Sequence, residues 1–203
     1  MVALFAQQSN ILEFPQPTKS NEWYTPARYI EAAREVMGGI DLDPASCKEA
    51  NMIVRAARYY SKEDDGLSKP WFGRIWLNPP FGRVHPELRG STKSWQVYFM
   101  RALLDKYLTH EVDQAIALIF GTSACMPWFQ TFWQFPLCLI GSRIEFDKPD
   151  GTKDHFGYGN IFVYMGKKEQ QFIDTFSKFG TIAKRVSTPR QTVTPLSLWE
   201  VML

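Results

Sequence analysis

The residues best suited to chemistry are Asn78, Pro79, Pro80 and Phe81, in the stretch WLNPPFGR. A residue before proline is pushed into extended geometry, and each proline ring fixes its own φ. The unit is therefore stiff. It offers two acceptors, the side-chain oxygen of Asn78 and the carbonyl of Pro79, and an exposed ring at Phe81 is expected beside them. Such a set suits a planar exocyclic amine such as that of adenine, whose lone pair is delocalised into the ring. Accepting both of its hydrogens in the transition-state geometry favours a pyramidal nitrogen with a localised pair, so the transition state is bound better than the ground state. A neutral amide orients the nitrogen and is no strong base, so the proton leaves to water. Phe81 is expected to stack on the base, an interaction worth about 1–3 kcal/mol. The same four residues also fit a plain proline turn after a strand.

The flanking elements must hold this unit in place. GRIWL is an apolar run that leads straight into it and predicts a buried strand. In a parallel sheet, ligands gather at the carboxyl ends of the strands, which is where Asn78 would stand. Earlier, TPARYIEAAREVMGG predicts a helix, with Thr25 at the N-cap, Pro26 in the first position and Gly38-Gly39 closing it. IDLDP reads as a short strand, and Ser46 with Glu49 as a capping box opening a helix to about Arg58. Trp95 to Leu108 reads as a helix, AIALIF and NIFVYMG as strands, and KEQQFIDTFSKF as a last helix. CLIGSRIEF reads as a strand or hairpin. Strands alternate with helices, which predicts α/β architecture with a mainly parallel sheet and flanking helices. The expected division is a loose arm at 1–20, one domain at 21–186 and a tail at 187–203.

Composition narrows the class. The chain has 203 residues, enough for one domain with a substantial core, and a net charge of +2. Aromatic residues make up 15%, a share that core packing or base stacking would use. Cys47, Cys125 and Cys138 show no paired spacing, and the histidines lie far from them, so no metal site or disulfide framework is expected. Neither a secretory signal nor a membrane span is visible, which predicts a cytoplasmic protein. Residues 82–94 lack an apolar period and predict a long functional loop carrying Arg83, His85, Arg89 and Lys93. Lys167, Lys168, Lys178, Lys184, Arg185 and Arg190 add a second basic cluster near the C-terminus. That cluster reads either as a phosphate-tracking face or as a solvated helix face.

Four motifs in this order, EWYTP, IDLDPAS, YYSKEDDGL and WLNPPFG, resemble those of the phage-type, Dam-like DNA N6-adenine methyltransferases, across about Asn21 to Phe162. The resemblance implies a Rossmann-like class I methyltransferase fold and methyl transfer from S-adenosylmethionine to adenine N6 in double-stranded DNA. It implies that Asn78, Pro79, Pro80 and Phe81 carry the reaction, with Asn78 also bordering the cofactor. Tyr24 or Thr25 would meet the methionine carboxylate, which the helix N-terminus at Pro26 would favour. Asp41 is the first candidate for the ribose hydroxyls and Asp43 the second. Asp65, or Asp64 in its place, would accept from the cofactor's amino group. No metal is implied. The target base must be flipped out of the duplex, with Arg83, Arg89 and Lys93 on the DNA and Trp95 either stacking or filling a core. One departure is the lack of a G-x-G loop after the first strand, so that strand is reduced or the cofactor is held differently. Two other readings stay open. The Asn-Pro-Pro-aromatic motif also serves RNA adenine, cytosine N4 and protein glutamine, and an inactive nucleic-acid-binding accessory protein could keep the fold.

Overall fold

A seven-stranded mixed sheet carries the molecule, in the order β2-β1-β3-β4-β8-β5-β9. The computed structural model describes residues 22–84 and 94–186. The strands are β1 (Leu42–Asp43), β2 (Arg58–Tyr59), β3 (Gly73–Leu77), β4 (Val112–Phe120), β5 (Leu137–Ile140), β8 (Asn160–Met165) and β9 (Gly180–Ala183). β6 (Phe146–Asp147) and β7 (Lys153–Asp154) form a separate two-stranded hairpin. The helices are α1 (Ala27–Met37), α2 (Lys48–Val54), α3 (Trp95–Leu108) and α4 (Glu169–Phe176).

The α/β expectation holds, but the sheet is less parallel than expected. β2, β1, β3 and β4 are mutually parallel, whereas β8 is antiparallel to both β4 and β5, and β9 is antiparallel to β5. NIFVYM in β8 is buried at every position. A strand covered on both faces shows the same continuous apolar run whichever way it points, so sequence pattern does not reveal its direction.

Two apolar layers explain why β4 has no polar face. Ile116 and Leu118 point into the layer containing Ile30, Val36, Phe172 and Phe176 of α1 and α4. Ala115, Ala117 and Ile119 point into the layer containing Phe99, Met100, Leu103 and Leu104 of α3. Two short 3-10 segments, Gly121–Cys125 and Pro127–Gln134, close that second layer with Phe129 and Phe132, both buried.

Local boundaries differ from the sequence expectations in ways that matter for the site. α1 begins one residue later, with Pro26 at the N-cap and no side-chain cap, so the Thr25 hydroxyl is not used there. α2 is capped by Cys47, whose Sγ accepts from the Ala50 N–H at 3.4 Å, so Ser46 is also left free. α2 stops at Val54 because Arg55 turns left-handed (φ 47°), which lets Arg58 enter β2. α1 ends as expected at Gly38, with φ 83° and an N–H bonded to the Arg34 carbonyl. Among the described residues no helix is long and apolar enough to cross a membrane.

Candidate active site

β3 ends at Leu77, and Asn78 is the first residue beyond its carboxyl end. The Asn78 Nδ2 donates to the main-chain oxygen of Trp23 at 3.1 Å. A carbonyl can only accept, so this bond fixes which way the amide faces. The Oδ1 on the other side is buried and has no hydrogen-bond partner. Pro79 is buried and Pro80 exposed. Among the described residues no donor reaches the Pro79 carbonyl.

Asn78, Pro79 and Pro80 line a cavity of about 340 Å³, a size within the usual small-molecule range of roughly 300–1,000 Å³. Four segments wall it: residues 22–25, the β1–α2 turn, the 3-10 turn Gly66–Ser68 with Asp65 before it, and the Asn78–Arg83 stretch, with Trp95 and Phe99 of α3 alongside. Two walls meet at Gly66, where a Cβ would lie 2.0 Å from the Pro44 oxygen, so only glycine allows the turn to close against β1. Among the described residues, four buried side-chain polar atoms lack a partner: Trp23 Nε1, Thr25 Oγ1, Ser46 Oγ and Asn78 Oδ1. All four residues line this cavity. An unpaired buried polar group costs about 1–3 kcal/mol, so folded proteins rarely concentrate them unless something polar satisfies them.

The acidic residues separate into those that face the cavity and those already used by the fold. Asp41 precedes β1 and is not among the residues that line the cavity. Its carboxylate accepts from Arg74 at Nε (2.7 Å), the terminal nitrogen (2.6 Å) and the main-chain N–H (2.8 Å). Those bonds hold its pKa below the usual carboxylate range. The structure therefore does not bring Asp41 to the cavity. Gly73, with φ 67°, makes room for this pair, since a Cβ there would lie 2.5 Å from the Asp41 carboxylate. Asp43, at the carboxyl end of β1, lines the cavity at 2% exposure. Burial pushes its pKa up to about 7, opposed by the Ala45 N–H and by the nearby Ser46 hydroxyl. The Ala45 bond is 3.2 Å, whereas the Ser46 Oγ makes no bond of regular geometry and stays unpaired. Asp65 lines the cavity with a positive φ of 52°. Asp64 instead binds Ser61 through its main-chain N–H (2.8 Å) and hydroxyl (2.9 Å), and is consumed in the turn.

Tyr24 and Thr25 line the cavity, while Pro26 does not. Burial and the Cys47 thiol both raise the Tyr24 pKa, so its hydroxyl stays protonated. A carboxamide acceptor, buried hydroxyls and a buried carboxyl around one hollow form a set for a polar organic ligand, and among the described residues no group of three or more His, Cys, Asp and Glu stands ready for a metal.

The family model for DNA N-6-adenine-methyltransferase (Dam) matches residues 14–188. The chain belongs to this family. No curated protein matches it. The general chemistry of the Dam family is methylation of adenine N6 in DNA, and such methyltransferases use S-adenosylmethionine. The cavity volume and the four unpaired polar atoms fit a cofactor of that size and polarity.

In this Dam-family chain Phe81 is not the exposed ring expected. It is 8% exposed and stacks on Phe120 at 4.4 Å, with Phe156 edge-on at 4.6 Å. Phe146 and Trp23 complete the cluster. With a face already covered by Phe120, Phe81 anchors the motif to the core. Trp95, at 36% exposure, and the exposed Arg83 line the cavity. Arg83 pairs with Ser94 in an isolated bridge, which brings the ends of the 82–94 loop together. His85, Arg89 and Lys93 lie outside the described residues, as do the expected arm at 1–20 and tail at 187–203. Sequence reasoning missed Trp23, Ser46 and Cys47 as parts of the site. The cysteine was the available signal: it can cap a helix as serine does, and that releases Ser46.

Proposed function

We propose that this chain transfers a methyl group from S-adenosylmethionine to N6 of an adenine flipped out of double-stranded DNA. The carrying observation is the buried, unpartnered Oδ1 of Asn78, a residue that lines the cavity and whose Nδ2 is tied to the Trp23 carbonyl. Bound there, S-adenosylmethionine supplies an electrophilic sulfonium methyl. Asp43 suits the ribose diol, because a carboxylate can accept from both hydroxyls and gains from their donation. Asp65 suits the cofactor's amino group. Thr25, Ser46 and Tyr24 suit its amino-acid end, near the start of α1.

Asn78 Oδ1 and the Pro79 carbonyl accept the two hydrogens of the adenine amine. Their placement favours a pyramidal nitrogen and so lowers the barrier more than it tightens binding. No residue at this point acts as a strong base, and the proton passes to water. An adenine stacked in a duplex cannot reach a cavity of this kind, which is why the base must be extruded. Phe81 lines the cavity and ties the motif to Phe120 and Phe156. The exposed Arg83 suits a phosphate, and Arg89 and Lys93 are read in the same role from sequence. We read the fold as Rossmann-like class I, supported by the parallel β2-β1-β3-β4 half with its cavity at the carboxyl ends of β1 and β3, and by the antiparallel β8 beside β4. The glycine-rich loop is replaced by the Pro44–Cys47 turn after a two-residue strand.

The test is incubation with methyl-labelled S-adenosylmethionine and separate DNA, RNA and protein acceptors, with Asn78→Ala as control. N6-methyladenine in DNA, absent with the variant, is expected. Label on cytosine, RNA or protein, or none at all, would contradict the proposal.

A further inference from the structure

We propose that the main-chain carbonyl of Trp23 sets the orientation of the Asn78 amide, which makes Trp23 a positioning residue for methyl transfer. This rests on the functional reading above but adds a part that the Asn-Pro-Pro-Phe motif does not contain. An asparagine amide can turn either way, presenting an acceptor or a donor to the cavity. If it presented its NH₂, it would repel the hydrogens of an amine. Within the motif, the stiffness of Pro79 and Pro80 fixes the backbone but leaves the side-chain torsion free. The bond from Nδ2 to the Trp23 oxygen, at 3.1 Å, removes that freedom and leaves Oδ1, the other end of the amide, as an acceptor that nothing in the fold uses, on a residue that lines the cavity.

The carbonyl can do this because Trp23 is itself held. Its ring lies against Phe156 at 3.8 Å between centroids and meets Phe146 edge-on at 5.8 Å. The Lys148 ammonium sits over the ring at 3.7 Å. The next residue, Tyr24, exchanges two main-chain hydrogen bonds with Asp147, both 3.0 Å. Phe146, Asp147 and Lys148 belong to β6 and the turn leading to β7, and Phe156 follows β7. The β6–β7 hairpin, distant in sequence from the motif, therefore fixes the direction of the catalytic amide through residues 23 and 24.

Asn78→Asp separates this from a merely structural role. The protonated carboxyl reproduces the amide: its O–H donates to the Trp23 carbonyl and its other oxygen accepts. The ionised form has no donor and turns a charge on the Trp23 oxygen. The ratio of variant to wild-type kcat on duplex DNA should therefore fall as pH rises, approaching about tenfold per pH unit above the carboxyl's pKa. KM for DNA should change little. A flat ratio, or one that rises with pH, would overturn the proposal, since the carboxylate would then serve as acceptor unaided. A second arm needs neither activity nor the variant. In ¹⁵N-labelled wild-type protein, one Asn78 side-chain amide proton should be shifted downfield and protected from exchange. Two freely exchanging protons would overturn the orientation claim. If wild-type protein methylates no DNA, the functional reading fails instead, and this second arm still decides the first.

Discussion

The two halves of the sheet treat their polar groups differently. In the antiparallel half, buried polar atoms are paired within the fold. Asn160 donates to the Ile119 carbonyl, the Cys138 thiol to the Phe176 carbonyl, and the Tyr164 hydroxyl joins Gln114 to the Lys168 N–H. Around the carboxyl ends of β1 and β3, four buried side-chain polar atoms among the described residues have no partner. The strands differ as well: β8, β5 and β9 run six, four and four residues, whereas β1 and β2 run two each. One half is finished as a folded object. The other leaves buried polar groups unpaired.

The largest effect expected from breaking that contrast is on activity. Asn78→Ala removes a preorganised acceptor and should lower kcat by about 10²–10³-fold or more while thermal unfolding barely moves. Quantifying N6-methyladenine in substrate DNA alongside a melting curve would check both. The opposite change belongs to the finished half. Phe176 is fully buried against Phe162, Phe172 and Phe179. Phe176→Ala should cost about 3–5 kcal/mol in denaturant unfolding, yet leave the activity of the molecules that remain folded close to wild type. If both variants lost stability equally, the contrast between halves would fail.

The aspartate pair sharpens it across the two ends of β1. Asp43→Asn should weaken S-adenosylmethionine binding by about tenfold or more, through loss of a charged acceptor for two hydroxyls. Asp41→Asn should leave binding nearly unchanged and lower stability by about 1–2 kcal/mol through loss of its bonds to Arg74. Asp43 also predicts a pH dependence. Its folded pKa of about 7 lies above the ordinary 3.8, so between those values the folded state keeps a proton the unfolded state has released. Stability of the unliganded protein should therefore fall as pH rises through that window, by at most about 1.4 kcal/mol per unit, and level off above it. Asp43→Asn should remove that slope. Melting curves between pH 4 and 8 would show it. The smallest effect expected is from Thr25→Val. Replacing an unpaired buried hydroxyl should leave the unliganded protein as stable or stabilise it by up to about 1 kcal/mol, while reducing cofactor affinity.

These outcomes also show how much the sequence could tell. The helices over α1, α3 and α4 were legible because their apolar spacing is regular, and β3 because GRIWL runs directly into two prolines. The strand-end position of Asn78 was legible because an apolar run and the prolines after it are local properties. The choice between Asp41 and Asp43 depended on something the sequence only half states. Both flank one short strand, and only the one at its carboxyl end can reach a site there, while the other meets Arg74, thirty-three residues away. Phe81 was misjudged for a similar reason. Its burial depends on Phe120 and Phe156, which arrive from β4 and the segment after β7. The direction of β8 was hidden because burial on two faces erases the alternation that marks a strand's side, and β9 was hidden because it is a four-residue, half-exposed edge strand that opens on a glycine.

The most direct test of the whole account is calorimetric titration of the wild-type protein with S-adenosylmethionine at pH 6.5 and 8.5, in buffers of differing ionisation enthalpy. The account predicts one-to-one binding at both values, with release of a proton at pH 6.5, as the ribose hydroxyls draw Asp43 into its ionised form, and little release at pH 8.5. Absence of binding, or binding whose proton release is the same at both pH values, would contradict it.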